Sequence, residues 1–397
     1  MAVLVLGVAS CGSGNENATL APVVQAPTAP TPSLPPPPPP PPAPPPPPAT
    51  PRAALLQNKS TIALLLPLTG SNAAIGADML AAAQQALLEL GGPQLALVPK
   101  DTGGTADGAR AAAAEAVADG AKLIVGPLTA PEIDAVRPVA QGAAINVIAF
   151  SNVATVAGNG VYLIGFLPSQ EIDRVVGYAL STGATHLGVI APENPYGQLS
   201  VAALQAAATK YGASVDASVS FAPDESNLEA SVRQLANNGA PSFSAVLLPE
   251  GDQQLKDVAL QLSTQKIAPP QFRFLGTGLW DGPGLGTEPA LVGGWYASPP
   301  TEARTGFEQR FTQIYGRRPQ RLASLAYDAV GVAAVLDRSG GDFSTNSLTN
   351  PSGFAGTNGV FRFLADGTNE RGLAVVEVEA AGVSVISPAP QSFAPAP

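Results

Sequence analysis

Sulfur and imidazole are almost missing from this chain, and charge is thin. It has one cysteine, Cys11, and one histidine, His186. No Cys–His pair is available for nucleophilic catalysis, and His186 has no Cys or His companion to complete a metal site. No Gly-x-Ser-x-Gly elbow and no Gly-x-x-x-x-Gly-Lys-Ser/Thr phosphate loop occurs, so the chain reads as non-catalytic, with no cofactor and no metal. Charged residues make up 13%, and the 20 Lys and Arg are outnumbered by 30 acids, giving a net charge of −10. Without a basic face, nucleic acid is excluded as a partner and an anionic membrane surface is disfavoured. No apolar run reaches the ~20 residues of a spanning helix.

What is present is proline, glycine and aliphatic residues. Ala21–Arg52 is proline-dominated, with Pro35–Pro42 and Pro44–Pro48 almost unbroken. Such a tract packs no core and reads as a polyproline II stalk, at ~3.1 Å per residue reaching roughly 90 Å. Ahead of it, Leu4-Val-Leu-Gly-Val-Ala-Ser-Cys-Gly12 has the form of a secretory apolar run ending in small residues. It resembles a bacterial lipobox in Val8, Ala9, Ser10 and Cys11, which implies a lipidated Cys11 and a membrane anchor.

From Ser60 onward, short apolar runs alternate with helical patterns. Thr61–Leu66, Leu95–Val98, Lys122–Val125 and Ile145–Phe150 read as buried parallel strands, separated by helices over Ala77–Leu90, Asp107–Ala118 and the stretch after Pro131. Pro131 suits a first helical turn, and Ile133, Val136, Val139 and Ala140 give that helix one apolar face. The rhythm restarts beyond Val161–Phe166. Helices are expected at Glu171–Leu180, Leu199–Lys210, Leu228–Asn237 and Gln253–Gln265, and strands at His186–Ile190, Ser214–Phe221, Ala245–Leu248 and Phe272–Leu275. Helices over Thr305–Tyr315 and Ala323–Arg338 follow, then a hairpin of Val360–Leu364 with Leu373–Val378, turned at Asp366-Gly367. The expected class is α/β: two lobes, each a parallel sheet flanked by helices, with the chain crossing between them more than once.

Open α/β sheets bind ligands at the carboxyl ends of their strands. The loops Pro127–Ala130 and Ser151–Thr155 should lie side by side there, and Asn194-Pro-Tyr-Gly197 marks the corresponding edge of the second lobe. Hydroxyls and oriented N–H groups on such loops suit an anion. Thr129, Ser151 and Thr155 suit helix capping equally well, and Tyr196 could pack on the helix that follows it.

Ile62–Leu90 (with Pro67-Leu-Thr-Gly70 and Gly76), Gly120-Ala-Lys-Leu-Ile-Val-Gly-Pro-Leu128 and Asn194–Gly197 together resemble type I periplasmic binding proteins of the leucine/isoleucine/valine class. The likeness runs from Ser60 to Ile386. The tail Gly359–Ala374 is similar to bacterial lipoproteins grouped with penicillin-binding-protein activators, which share that fold. The resemblance implies three interlobe crossings, with residues 60–166 and 299–345 in one lobe, 167–298 and 346–388 in the other, a leader at 1–11, the stalk at 12–59 and a tail at 389–397. It implies ligand-binding roles for Thr129, Ser151, Thr155 and Tyr196: Thr155 on a carboxylate, Tyr196 covering the ligand from the second lobe. Elsewhere this sequence departs from the family's pattern. Ala130 replaces a serine-type donor, Gly278 stands where the acid that takes an ammonium is expected, and Gly251 replaces a covering aromatic; Glu250, Trp280 and Asp281 are near in sequence. The implied function is a lipid-anchored periplasmic protein that closes on a small polar or amino-acid-like ligand for an ABC permease. The alternative is an activator that regulates a peptidoglycan synthase through protein contacts.

Overall fold

The computed structural model describes residues 59–282 and 284–393; Cys11 and the proline tract lie outside the described residues. The first sheet is built around β1 (Ser60–Leu66), which pairs in parallel with β2 (Leu95–Asp101) on one side and β3 (Leu123–Val125) on the other. β4 (Asn146–Ala149) and β5 (Val161–Leu163) complete the order β2-β1-β3-β4-β5. β1 is an unbroken apolar run because both of its faces are buried. Ile62, Leu64 and Leu66 point to one core with Met79, whereas Ala63 and Leu65 point to another with Ile124, Ile133 and Val136. Helices α1 (Ala73–Leu90), α2 (Ala106–Ala118) and α3 (Ala130–Gly142) supply those covers.

The second sheet restarts after α4 (Pro168–Ser181). It holds β6 (His186–Pro192), β7 (Ser214–Phe221), β8 (Ala245–Leu247), β9 (Arg273–Gly276) and β10 (Trp295–Ser298), with α5 (Pro195–Tyr211), α6 (Leu228–Leu235) and α7 (Asp252–Thr264) as crossovers. Two antiparallel strands, β14 (Ala374–Glu379) and β15 (Gly382–Ser387), extend it to the order β15-β14-β10-β9-β8-β6-β7. Its two cores centre on Val175, Val189 and Leu204 on one face and on Phe221, Val246 and Trp280 on the other.

Between β10 and β14 the chain returns to the first lobe. There it forms α8 (Thr301–Tyr315), α9 (Ala323–Arg338), α10 (Thr345–Leu348) and a small antiparallel sheet of β11 (Phe354–Gly356), β12 (Gly359–Phe363) and β13 (Asn369–Arg371). Two expectations are corrected here. The hairpin partner of β12 is β13, not 373–378, although the turn at Asp366-Gly367 stands, with the Gly367 N–H donating to the Leu364 carbonyl (2.9 Å). Residues 346–388 also do not all join the second lobe: Phe354, Phe361 and Phe363 pack in the first core, Phe363 with its ring 5.7 Å from Tyr162. Their alternation buries one face of the small sheet, and only the apolar run of β14 continues into the second sheet.

The lobes are joined at 164–167, 299–300 and 372–373. The first and third crossings are tied together. Asn369 Nδ2 donates to the carbonyls of Leu163 (2.8 Å) and Gly165 (2.9 Å), and the Arg371 N–H donates to Gln170 Oε1 (3.0 Å). β5 stops at Leu163, and just beyond it Gly165 abuts the loop that follows β4. A Cβ there would lie 2.3 Å from the Ser151 carbonyl oxygen.

Candidate functional site

The order of the first sheet reverses at β1, whose neighbours are β2 and β3, so a crevice opens beyond the carboxyl ends of β1 and β3. Gly126 shapes its wall: φ is +100°, and a Cβ would meet the Leu65 carbonyl oxygen at 2.1 Å, so only glycine fits. The two expected loops do lie side by side, since the Phe150 N–H donates to the Pro127 carbonyl (3.0 Å). On the β1 side, Asp101 pins the Pro67–Gly70 loop by accepting from the N–H of Leu68 (2.9 Å) and the hydroxyl of Thr69 (2.7 Å).

Thr129 is the N-cap of α3. Its N–H (2.9 Å) and its hydroxyl (2.7 Å) both donate to Glu132 Oε2, and Glu132 Oε1 takes the Thr102 hydroxyl (2.6 Å). Ser151 is buried and its Oγ accepts the Val153 N–H (3.1 Å). Thr155 lies on a 3-10 turn, Ala154–Val156, and is exposed; among the described residues its hydroxyl has no partner. Of the three first-lobe hydroxyls, Thr129 is therefore the one engaged in capping.

In the second lobe, Tyr196 stands in the first turn of α5, where Asn194 caps the helix through the Gly197 N–H (2.8 Å). Its phenol donates to Thr277 Oγ1 (2.9 Å), and burial followed by the nearby charge of Glu171 pushes its pKa up. No hydrogen bond among the described residues links Tyr196 to Thr129, Ser151 or Thr155.

Three charged residues were not assigned to the site from sequence. Glu171, in the first turn of α4, is 3% exposed and faces Arg321 Nη2 from the first lobe at 3.4 Å. Burial raises its pKa, against the pull of Arg321 and the Gly278 N–H. Arg321 also stacks 4.6 Å over the ring of Phe166 in the first crossing. Glu250, beyond β8, is 3% exposed, and among the described residues its Oε1 has no partner. Burial, and then the charge of Glu225, pushes its pKa up to about 8. The other two nearby residues named from sequence are committed elsewhere. Trp280 is core, its Nε1 donating to the Leu248 carbonyl (3.0 Å), and Asp281 is paired with Arg304. His186 opens β6 and meets Asp216 Oδ2 at 2.6 Å.

The sequence signal for Glu250 was present: an acid directly closes an apolar strand, Ala245-Val-Leu-Leu-Pro-Glu250. Glu171 and Arg321 are 150 residues apart and gave no local sign of pairing. The edges thus offer the hydroxyls of Ser151 and Thr155 on one lobe, a phenol and a buried acid on the other, and an ion pair from one lobe to the other. Among the described residues no group of His, Cys, Asp or Glu is placed to hold a metal.

A family model described as periplasmic binding protein matches residues 59–383. No curated protein sequence matches the chain. Among solved structures it is similar to a putative branched-chain amino acid ABC transporter protein from Rhodospirillum rubrum, with 19% identity and a TM-score of 0.72 over 83% of this chain and 100% of that one. It is also similar to a branched-chain amino acid transporter substrate-binding protein from Streptococcus pneumoniae in complex with isoleucine (19%, TM-score 0.60, 83% and 100%). A third is an ABC-transporter solute-binding protein from R. palustris in complex with benzoate (16%, TM-score 0.61, 85% and 98%). At these identities the likeness is one of fold.

Proposed function

Because the chain belongs to the periplasmic binding protein family, we propose that it is a non-catalytic, lipid-anchored protein of the bacterial periplasm that closes two lobes on a small polar or amino-acid-like ligand. The closed form is presented to an ABC-type permease. What supports this reading is the pair of hydroxyl-bearing loops at the switch point of the first sheet, with Tyr196 in the first turn of the helix that follows β6 in the second lobe. Isoleucine and benzoate, bound by two proteins of the same fold, share a carboxylate, and the free hydroxyl of Thr155 suits that group.

Thr155→Ala removes a hydrogen bond to a charged group and is expected to weaken binding roughly 10- to 100-fold. Tyr196→Ala weakens it as well and leaves closure incomplete. Calorimetry with the ligands that emerge from a thermal-shift screen of amino acids, aromatic acids and muropeptides reads both. Undiminished affinity in both variants would sink the cleft assignment. A screen without ligands, together with stimulation of a peptidoglycan synthase, would favour the activator reading instead.

The pattern Val8-Ala-Ser-Cys11 supports the anchor. Cys11→Ser should move the protein from membranes to the soluble periplasmic fraction, and a variant that still pellets after a high-salt wash would refute lipidation.

A further inference from the structure

Outside the cleft, α4 and α5 line a cavity of about 860 Å³ that reaches the third crossing and the end of β15. That volume falls in the roughly 300–1,000 Å³ range of small-molecule sites. Its ionic groups are matched, with one exception. Asp173 pairs with Lys210 (2.8 Å) and Glu370 with Arg362 (2.6 Å), while Arg371 is opposed by Asp328 and Glu171. Arg174 has no acid among the described residues. Its Nε donates to the Leu373 carbonyl (2.8 Å) and its Nη2 to Ser387 Oγ (2.6 Å), and Nη1 has no partner among the described residues. Burial lowers its pKa, and only the phenols of Tyr178 and Tyr211 act against that. A half-buried guanidinium held by neutral acceptors alone keeps its charge for an anion that arrives.

The walls decide what else the anion carries. Tyr211 closes over α4 because residue 177 is glycine: a Cβ there would lie 3.0 Å from the phenol oxygen. Asp173 accepts from that phenol (3.1 Å), so the ring is fixed although the residue is 43% exposed. The second ring, Tyr178, is fixed edge-on against Trp295, with centroids 5.1 Å apart. Ala203, Ala206 and Ala207 keep the α5 side shallow. Two immobilised rings and an aliphatic floor suit a flat apolar body. Since a single cation is unmatched, the complement is a monoanion.

We propose that this cavity is a second binding site, separate from the cleft, for an aromatic carboxylate whose charge meets Arg174 and whose ring lies on the tyrosine and alanine wall. It stands whether or not the cleft binds a solute.

Calorimetry on the full chain, with phenylacetate against its uncharged counterpart phenylacetamide, tests this. The acid should bind at least roughly tenfold more tightly than the amide. Arg174→Gln should erase that preference, weakening the acid by a similar factor and leaving the amide within about threefold. Arg174 also holds the third crossing at Leu373, so a second variant keeps the answer readable if Arg174→Gln misfolds. Ala206 is exposed on α5, and Ala206→Trp fills the groove without entering the core. It should weaken acid and amide alike, at least roughly tenfold. If the cleft takes the acid too, the wild-type stoichiometry is two and falls to one in both variants. Equal affinity for acid and amide, no binding of phenylacetate, or affinity and stoichiometry untouched in the folded variants would each overturn the inference.

Discussion

Asp328→Ala is expected to cost the first lobe about 3–5 kcal/mol, the largest effect of any substitution considered for this protein. Asp328 lies in α9 and is 2% exposed. Its Oδ1 accepts from the N–H (2.6 Å) and hydroxyl (2.9 Å) of Thr357, and its Oδ2 accepts from Asn358 Nδ2 (3.0 Å). The turn before these donors closes onto the carboxyl group at Gly356, where a Cβ would sit 2.6 Å from the carboxyl carbon. Alanine would strand the donors in a dry interior and remove the stronger of the two acidic charges, Asp328 and Glu171, that oppose the buried cation of Arg371. Asparagine should rescue little, because its amide nitrogen would point a donor at donors. Equilibrium urea denaturation measures the loss. A cost below about 1 kcal/mol would show that the 356–358 turn is held by something other than this carboxylate.

The same region explains what the sequence could not disclose. Strands buried on both faces were legible as apolar runs: β1 was read almost residue for residue, and Ser214–Phe221 was read with its observed ends. β13 is Asn369-Glu-Arg371, a polar triplet that no hydrophobic periodicity would mark as a strand. Two of its side chains are buried because they serve the first crossing: Asn369 through the carbonyls of Leu163 and Gly165, Arg371 through the carbonyl of Ile164. The turn signal at Asp366-Gly367 told where the chain reverses, but not which segment returns beside β12. With β13 unrecognised, the next apolar run, now β14, was taken for the partner.

The site divides in the same way. Thr129, Ser151, Thr155 and Tyr196 could be placed at strand ends because strand–loop–helix order is a local pattern. The Thr129–Glu132 spacing is a capping signature readable three residues apart. The groups that distinguish this cleft come together only through tertiary structure. Glu171 opens a helix of the second lobe, Arg321 precedes a helix of the first, and Gly278 supplies the gap into which both reach. Absence of a side chain at 278 was visible in the sequence; the reason for the absence was not.

That pair supports a second large expectation, concerning closure itself. Glu171→Ala should cost about 2–3 kcal/mol, less than Asp328→Ala because Arg321 remains partly accessible and can turn to water. The more telling effect is on shape. Glu171 belongs to the second lobe and Arg321 to the first, so their contact spans the cleft, next to the Phe166 ring on which Arg321 stacks at 4.6 Å. A pair of this kind holds the lobes together before a ligand arrives. Without it the ligand-free protein should sample more open forms, with a larger radius of gyration in solution scattering and faster proteolysis at the 164–167 crossing. Arg321→Ala should do the same. If the two act on each other, the double variant will lose less than the sum of the singles, by at least about 1 kcal/mol. Ligand should then close the variants only at a cost in affinity, because binding must supply what the pair no longer does. Unchanged scattering in both single variants, with additive stabilities, would mean that the ion pair bridges the lobes without governing their separation.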